Sequence, residues 1–208
     1  MVAAQAGLEI SKAAEWSAGQ GLAGLHNFYS MPGSIGGSVW MNARCYGVSV
    51  SDLLSEVTLL TPENKITKKQ IELSRFDYKK TPFQTTEEII LDARFKLTEA
   101  DPGELKDSMN EKKNDRTAKG HFDFPSAGSV FKNNREFGSP TGKIIDSLGL
   151  RGHQIGGACI SPKHANIIIN TGDVTAQDVL NLIDFIKEKV YKEFSFALEE
   201  EVRFTGKR

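Results

Sequence analysis

The segment from Thr175 to Phe194 constrains the fold of this chain more than any other. Val179, Leu182, Ile183, Ile186 and Val190 recur there at helical spacing, behind a Thr175 and Asp178 pair suited to capping the first turn. A helix with one apolar stripe must bury it on another element, and the neighbouring sequence offers strands. Short strands are predicted at 128–132, 157–161 and 166–170, and FALEEEVRF (residues 196–204) alternates as a last one. Ser139-Pro140 reads as a cap and first-turn proline for a helix ending at Gly149. Earlier in the chain, SKAAEWSAGQ (11–20) reads as a helix with Ser11 as N-cap and a stop at Gly19 and Gly21. Residues 53–67 form a hairpin pattern around Pro62-Glu63-Asn64, and 87–97 is a further strand. The fold class expected is therefore α+β. Asp101-Pro102-Gly103 opens a charged stretch, 104–119, read as a solvated helix joining two halves, with domains expected at 1–100 and 101–208.

With 26 Lys+Arg against 27 Asp+Glu, the chain has no global field to attract nucleic acid or an anionic membrane, so neither is expected as a partner. Cys45 and Cys159 lie far apart and lack a second cysteine or a histidine at metal-ligand spacing, so neither a disulfide framework nor a metal site is indicated. No targeting segment and no apolar run of membrane-spanning length stands out, and a cytoplasmic setting is expected.

Three stretches have residue types suited to chemistry. PGSIGG (Pro32, Gly33, Ser34, Ile35, Gly36, Gly37) precedes an apolar helical run, so its backbone N–H groups and a helix N-terminus could converge on a phosphate; a plain tight turn explains the same residues. SAGSVFKNN (126–134) sets a hydroxyl, a cation and amides on one segment, where a regular strand would put Ser129, Phe131 and Asn133 on one face and Val130 and Lys132 on the other. LEEEVRF (198–204) would put Glu199 and Glu201 opposite Glu200. His164 and the basic run 111–119 read most simply as a structural histidine and a solvated face.

Taken in order, MPGSIGGSVWMNARCYG, FPSAGSVFKNN with GKIIDSLGLRGHQIGGACISPKHANIIINTGDVTAQDVL, and LEEEVRFTG resemble the UDP-N-acetylenolpyruvoylglucosamine reductase (MurB) family along essentially the whole chain. The resemblance implies an FAD enzyme with a flavin lobe of the vanillyl-alcohol-oxidase (PCMH) type and a C-terminal substrate-binding domain. In that family NADPH reduces the flavin and leaves. The enolpyruvyl ether of UDP-N-acetylglucosamine then takes hydride at its terminal carbon and a proton at the neighbouring carbon, giving UDP-N-acetylmuramate for peptidoglycan. Negative charge builds beside a carboxylate in that step, which calls for preorganised donors and a positioned proton source. By match to the family motifs, Ser129 is the proton donor and Glu201 the second catalytic residue, expected to help protonate or orient the enol. Lys132 and Asn133 become substrate contacts, and PGSIGG with Asn42 the flavin-binding loop.

The chain departs from the family pattern in three respects. FDYKKTPF puts Lys79 where the family has an arginine that stabilises the developing enolate, and lysine lacks the planar bidentate fork. Nothing resembling the family's first lobe precedes Met1, so residues 1–100 are expected to be the remainder of the flavin domain of an N-terminally truncated chain. No insertion with a substrate-binding tyrosine loop is present, which suggests the branch lacking it; a monomer is expected. The alternative is an incomplete or non-catalytic UDP-sugar-binding fragment.

Overall fold

The computed structural model describes residues 1–206 and divides into two compact units, Met1–Asn114 and one beginning at Asp115. The first unit contains, in chain order, β1 (Val2–Gln5), α1 (Ile10–Gly19), β2 (Leu22–Ala23), α2 (Ile35–Trp40), β3 (Arg44–Cys45) and β4 (Val48–Ser49). It continues with α3 (Val50–Leu53), β5 (Leu54–Leu60), β6 (Ile66–Gln70), β7 (Ile89–Phe95), β8 (Thr98–Glu99) and most of α4 (Pro102–Ala118). A four-stranded antiparallel sheet in the order β1-β7-β5-β6 organises it, with the expected 53–67 hairpin as its β5–β6 pair. Ile10, Phe28, Ile35, Val57, Leu59 and Phe95 are completely buried in its core, each stabilising by about 1.5–3 kcal/mol.

Two sequence expectations are corrected in this unit. Ser11 does not cap α1: the helix starts at Ile10 after Glu9, and the Ser11 hydroxyl accepts the Ser30 N–H at 2.9 Å. The charged segment does form a helix, α4, but the division between units falls inside it rather than at 100/101. Leu105 and Met109 bury against Ala18 of α1, so the first turns of α4 belong to the first unit despite their polar composition.

The second unit contains β9 (Ser126–Ser129), α5 (Thr141–Ser147), β10 (Gln154–Ile155), β11 (Ala158–Ile160), β12 (Ile167–Asn170) and α6 (Ala176–Phe194). The strands form an antiparallel sheet in the order β10-β11-β12-β9. Helix α6 is the one foreseen: Thr175 accepts the Asp178 N–H, Asp178 accepts the Thr175 N–H, and Leu182, Ile183, Ile186 and Val190 are buried. Their stripe packs with Ile144, Ile145, Ala158, Ile160 and Ile168. On the other face of β12, Ile167 and Ile169 bury with Cys159, which accounts for an unbroken isoleucine run in a two-sided strand.

Pro140, rather than Ser139, occupies the N-cap position of α5, and the Thr141 N–H is instead taken by the Asn133 side chain at 2.9 Å. The alternating segment 196–204 forms no strand, only one bridge between Phe131 and Glu200. Leu198 is buried, while Glu199 and Glu200 ion-pair with Lys132 and Lys187, so the alternation records a coil whose acids meet lysines rather than a sheet edge.

Candidate active site

In the first unit, PGSIGG closes onto the β1–α1 connection. Ser34 is the N-cap of α2 and accepts the Gly37 N–H at 3.1 Å. The Ile35 N–H donates to Leu8 O and the Gly36 N–H to Ala6 O, both at 2.8 Å, and the Ser38 N–H donates to Ser34 O at 2.9 Å. A cradle of successive helix N–H groups is therefore not what this loop presents, because folding has already used them. A Cβ on Gly36 would come within 2.9 Å of the Ala6 Cβ, so glycine there serves close packing. Gly33 differs: its φ is +119°, a side chain there would meet nothing within 4 Å, and the Gly33 and Ser34 N–H groups bond to no described residue. The part of the loop that can approach an anion is thus Gly33–Ser34.

Asn42 is buried and held at φ +44°. Its carboxamide oxygen accepts the Ser51 N–H at 3.1 Å, and its nitrogen donates to Asp77 O at 3.0 Å. Each end of the side chain has a partner inside the protein. Asp77 opens the tight turn that carries Lys79: Asp77 and Lys80 exchange backbone hydrogen bonds at 3.1 and 3.0 Å, with Lys79 at φ +57°. Gln84 donates to both Lys79 O and Trp40 O, the Thr81 hydroxyl donates to Trp40 O, and the Trp40 indole donates to Phe83 O. The structure therefore brings Asn42, Lys79 and the C-terminal end of α2 onto one stapled scaffold. Half-buried Lys79 places its Nζ 5.9 Å from the Tyr78 ring centroid.

In the second unit, β9 and β12 pair Ser126 with Ile169 and Ser129 with Ile167, leaving two residues of β9 opposite one of β12. The extra residue makes a bulge at Gly128, whose φ is +78°. A bulge of this kind redirects the side chain that follows it, here Ser129. Ser129 is half-buried, and its hydroxyl donates to no described residue. The strand ends there. Val130 and Phe131 are both buried, so the two-faced arrangement expected of 129–133 is absent.

Every backbone polar group from Val130 to Lys132 has a partner. Val130 donates to Asn166 O at 2.8 Å, and its carbonyl accepts the Glu201 and Val202 N–H groups at 2.7 and 3.4 Å. Phe131 donates to Asn166 Oδ1 at 3.0 Å and accepts from Asn166 Nδ2 at 2.8 Å. Lys132 donates to Glu199 O at 2.9 Å and accepts from the Thr141 hydroxyl at 2.7 Å. Ser129 and Glu201 thus converge on the Val130 peptide, with Lys132 and Asn133 following directly. Lys132 is ion-paired to exposed Glu199, a partner that an anionic ligand can displace.

Asn166 and Thr141 are the residues that sequence reading missed. An asparagine directly ahead of three isoleucines was the available signal, since an amide entering a buried strand has to find a partner. His164 accepts the Asn166 N–H at 3.3 Å and lies edge-on to His121 at 5.7 Å between ring centroids. Burial, with Arg116, His164 and Lys119 nearby, holds His121 down to about 4, and burial likewise lowers His164. Both rings are neutral at pH 7, which fits a structural pair.

Residues 120–205 match a family model described as the UDP-N-acetylenolpyruvoylglucosamine reductase C-terminal domain. Similar proteins of that name include one from Treponema denticola, 43% identical over 99% of this chain and 67% of the relative. Another from Latilactobacillus sakei is 41% identical over 100% and 68%, and one from Borrelia garinii subsp. bavariensis is 38% identical over 99% and 67%. The chain spans about two thirds of the length of these relatives. Among solved structures, a crystal structure of UDP-N-acetylenolpyruvylglucosamine reductase (MurB) from Thermus caldophilus superposes with a TM-score of 0.82 at 30% identity, over 97% of this chain and 71% of that one.

Proposed function

Because the chain belongs to the UDP-N-acetylenolpyruvoylglucosamine reductase family, we propose that it serves the NADPH-dependent, FAD-mediated reduction of UDP-N-acetylglucosamine enolpyruvate to UDP-N-acetylmuramate, in peptidoglycan synthesis. The observation that carries this reading is the convergence of Ser129 and Glu201 on the Val130 peptide, inside the region the family model matches. When bound, FAD supplies the hydride for the terminal carbon of the enolpyruvyl group. Ser129, redirected by the Gly128 bulge and with its hydroxyl donating to no described residue, holds the proton for the neighbouring carbon. Glu201, tethered through its own N–H, orients or replenishes that proton. Lys132 exchanges Glu199 for the substrate diphosphate as a point charge. Asn133 is fixed through the α5 N-terminus, which leaves its amide nitrogen to donate to substrate. Lys79 supplies the cation for the developing enolate.

The chain's residues fit a flavin at one limited point, the open backbone of Gly33 and Ser34, whose N–H groups can donate to a diphosphate oxygen. Asn42, which the family motif assigns to the flavin loop, also braces the Lys79 turn. The 208-residue chain is tested by incubation with FAD, anaerobic addition of NADPH, and then addition of the enolpyruvyl UDP-sugar, followed by visible absorbance. Bleaching and substrate-dependent recovery are expected. A bound flavin that bleaches but never recovers with the UDP-sugar refutes the reading, and UDP-sugar binding without any flavin favours a substrate-binding fragment.

A further inference from the structure

We propose that Asn166 is a positioning residue for this reaction: its carboxamide clamps both polar groups of the Phe131 peptide and so fixes where Ser129 and Lys132 stand. The proposal rests on the functional reading above. The β9–β12 ladder shifts register at the Gly128 bulge and gives out after Ser129, so the backbone that follows bridges to Glu200 on one side but has no strand neighbour on the β12 side. Asn166 takes over that role. One side chain supplies an acceptor at 3.0 Å and a donor at 2.8 Å to a single peptide, and its own carbonyl takes the Val130 N–H at 2.8 Å. The residue is 3% exposed, so neither half of the clamp can be replaced cheaply by water. It lies immediately before β12, whose Ile167 pairs with Ser129, so one short stretch sets the register of the serine and the path of the chain beyond it.

The chemistry makes this placement matter. A proton donor works only within hydrogen-bond reach of the carbon it serves, and a displacement of about 1 Å costs up to about a hundredfold in rate. Phe131 is itself 1% exposed and Val130 3%, so two buried side chains pin the clamped peptide to the core between half-buried Ser129 and Lys132. Asn166 touches neither reacting atom and acts through the backbone.

The test is Asn166→Asp. The introduced carboxylate keeps an acceptor for the Phe131 N–H but sets an oxygen against the Phe131 carbonyl. Protonation restores the missing donor, because a neutral carboxyl offers one donor and one acceptor as the carboxamide does. At pH 8 the variant is expected to reoxidise reduced flavin with saturating enolpyruvyl UDP-sugar about ten- to a hundredfold more slowly than wild type. Flavin reduction by saturating NADPH should slow far less, and calorimetric affinity for the UDP-sugar, measured without flavin, should weaken several-fold. Lowering the pH to about 5.5 should recover most of the reoxidation rate, relative to wild type at the same pH. Equal slowing of both half-reactions, or no change in either the UDP-sugar affinity or the reoxidation rate, overturns the positioning role. Asn166→Ser, whose single hydroxyl cannot span both groups, must show the same selective loss if the carboxylate prevents folding. A wild-type chain that neither binds nor turns over the UDP-sugar removes the functional reading and the role of Asn166 with it. A working wild type with an indistinguishable variant removes only the role of Asn166.

Discussion

His121 makes the stability of the second unit depend on pH in a direction the structure determines. Its ring is neutral in the folded chain down to about pH 4, against an ordinary value of 6.5, because burial and the cations Arg116 and Lys119 disfavour its charge more than Asp115 favours it. His164 faces it from the β11–β12 connection and is lowered as well, while Lys163 is held on Asp123 nearby. An unfolded His121 binds its proton near 6.5, so between that pH and about 4 the unfolded state carries more protons and stability rises with pH. The destabilisation is absent above about 6.5, grows as pH falls, and is complete near 4. Full conversion of the shift gives about 3 kcal/mol, and solvent screening of a partly exposed ring reduces this to about 1–2 kcal/mol. Trp16 and Trp40 both lie in the first unit, so tryptophan fluorescence in urea follows that unit, and far-ultraviolet circular dichroism, which sums over the helices of both, gives the second unit's transition once the first is subtracted. The unit should lose about 1–2 kcal/mol between pH 7.5 and 4.5, and His121→Gln should flatten the slope. A variant retaining the wild-type slope refutes the assignment.

Ser129→Ala should slow flavin reoxidation by the UDP-sugar at least about tenfold more than it slows reduction by NADPH, because it removes a proton donor and little else; single-turnover absorbance of both half-reactions decides it. Gly128→Ala forces an L-residue to φ +78° in open space, so it should cost about 1–2 kcal/mol through backbone strain and move Ser129 as well; a variant with wild-type stability and wild-type reoxidation would contradict the bulge argument. Thr175→Ala removes the hydroxyl cap of α6 at a cost of about 1 kcal/mol, read as a lower urea midpoint. The Asp178 carboxylate is held below its ordinary value of 3.8 by the Thr175 N–H and hydroxyl, so its contribution should be present above that pH and fade as pH falls beneath it.

Segments whose local pattern agrees with their tertiary use were legible in the sequence. Helix α6 has a capping box and a stripe that point one way, and the β5–β6 hairpin has its turn residues between alternating runs. The failures share a cause. Ser11, Ser139 and the segment 196–204 have the right composition for caps and a strand, but distant partners claim them: Ser30 takes the Ser11 hydroxyl, Asn133 takes the Thr141 N–H that Ser139 would have capped, and Lys132 and Lys187 take the acids. Spacing along the chain has no access to such competition. The joint between units was misread for the opposite reason, since two apolar residues in a charged helix sufficed to attach its first turns to α1.

The candidate site separates what a motif conveys from what a fold conveys. The resemblance supplied Ser129, Lys132, Asn133 and Glu201 as a set, and the structure supplies a physical reason for their proximity: three side chains, Asn166, Thr141 and Asn133, substitute for a ladder that the Gly128 bulge interrupts. Asn42 illustrates the converse. A motif asparagine next to a glycine loop suggests a ligand contact, and in the structure its carboxamide also bonds inside the protein, to Ser51 and Asp77. What the structure shows it to hold is the Asp77–Lys80 turn, where Lys79 stands at φ +57°. A lysine with four rotatable bonds gains direction from so constrained a backbone, which offsets part of the geometric precision it gives up relative to a guanidinium.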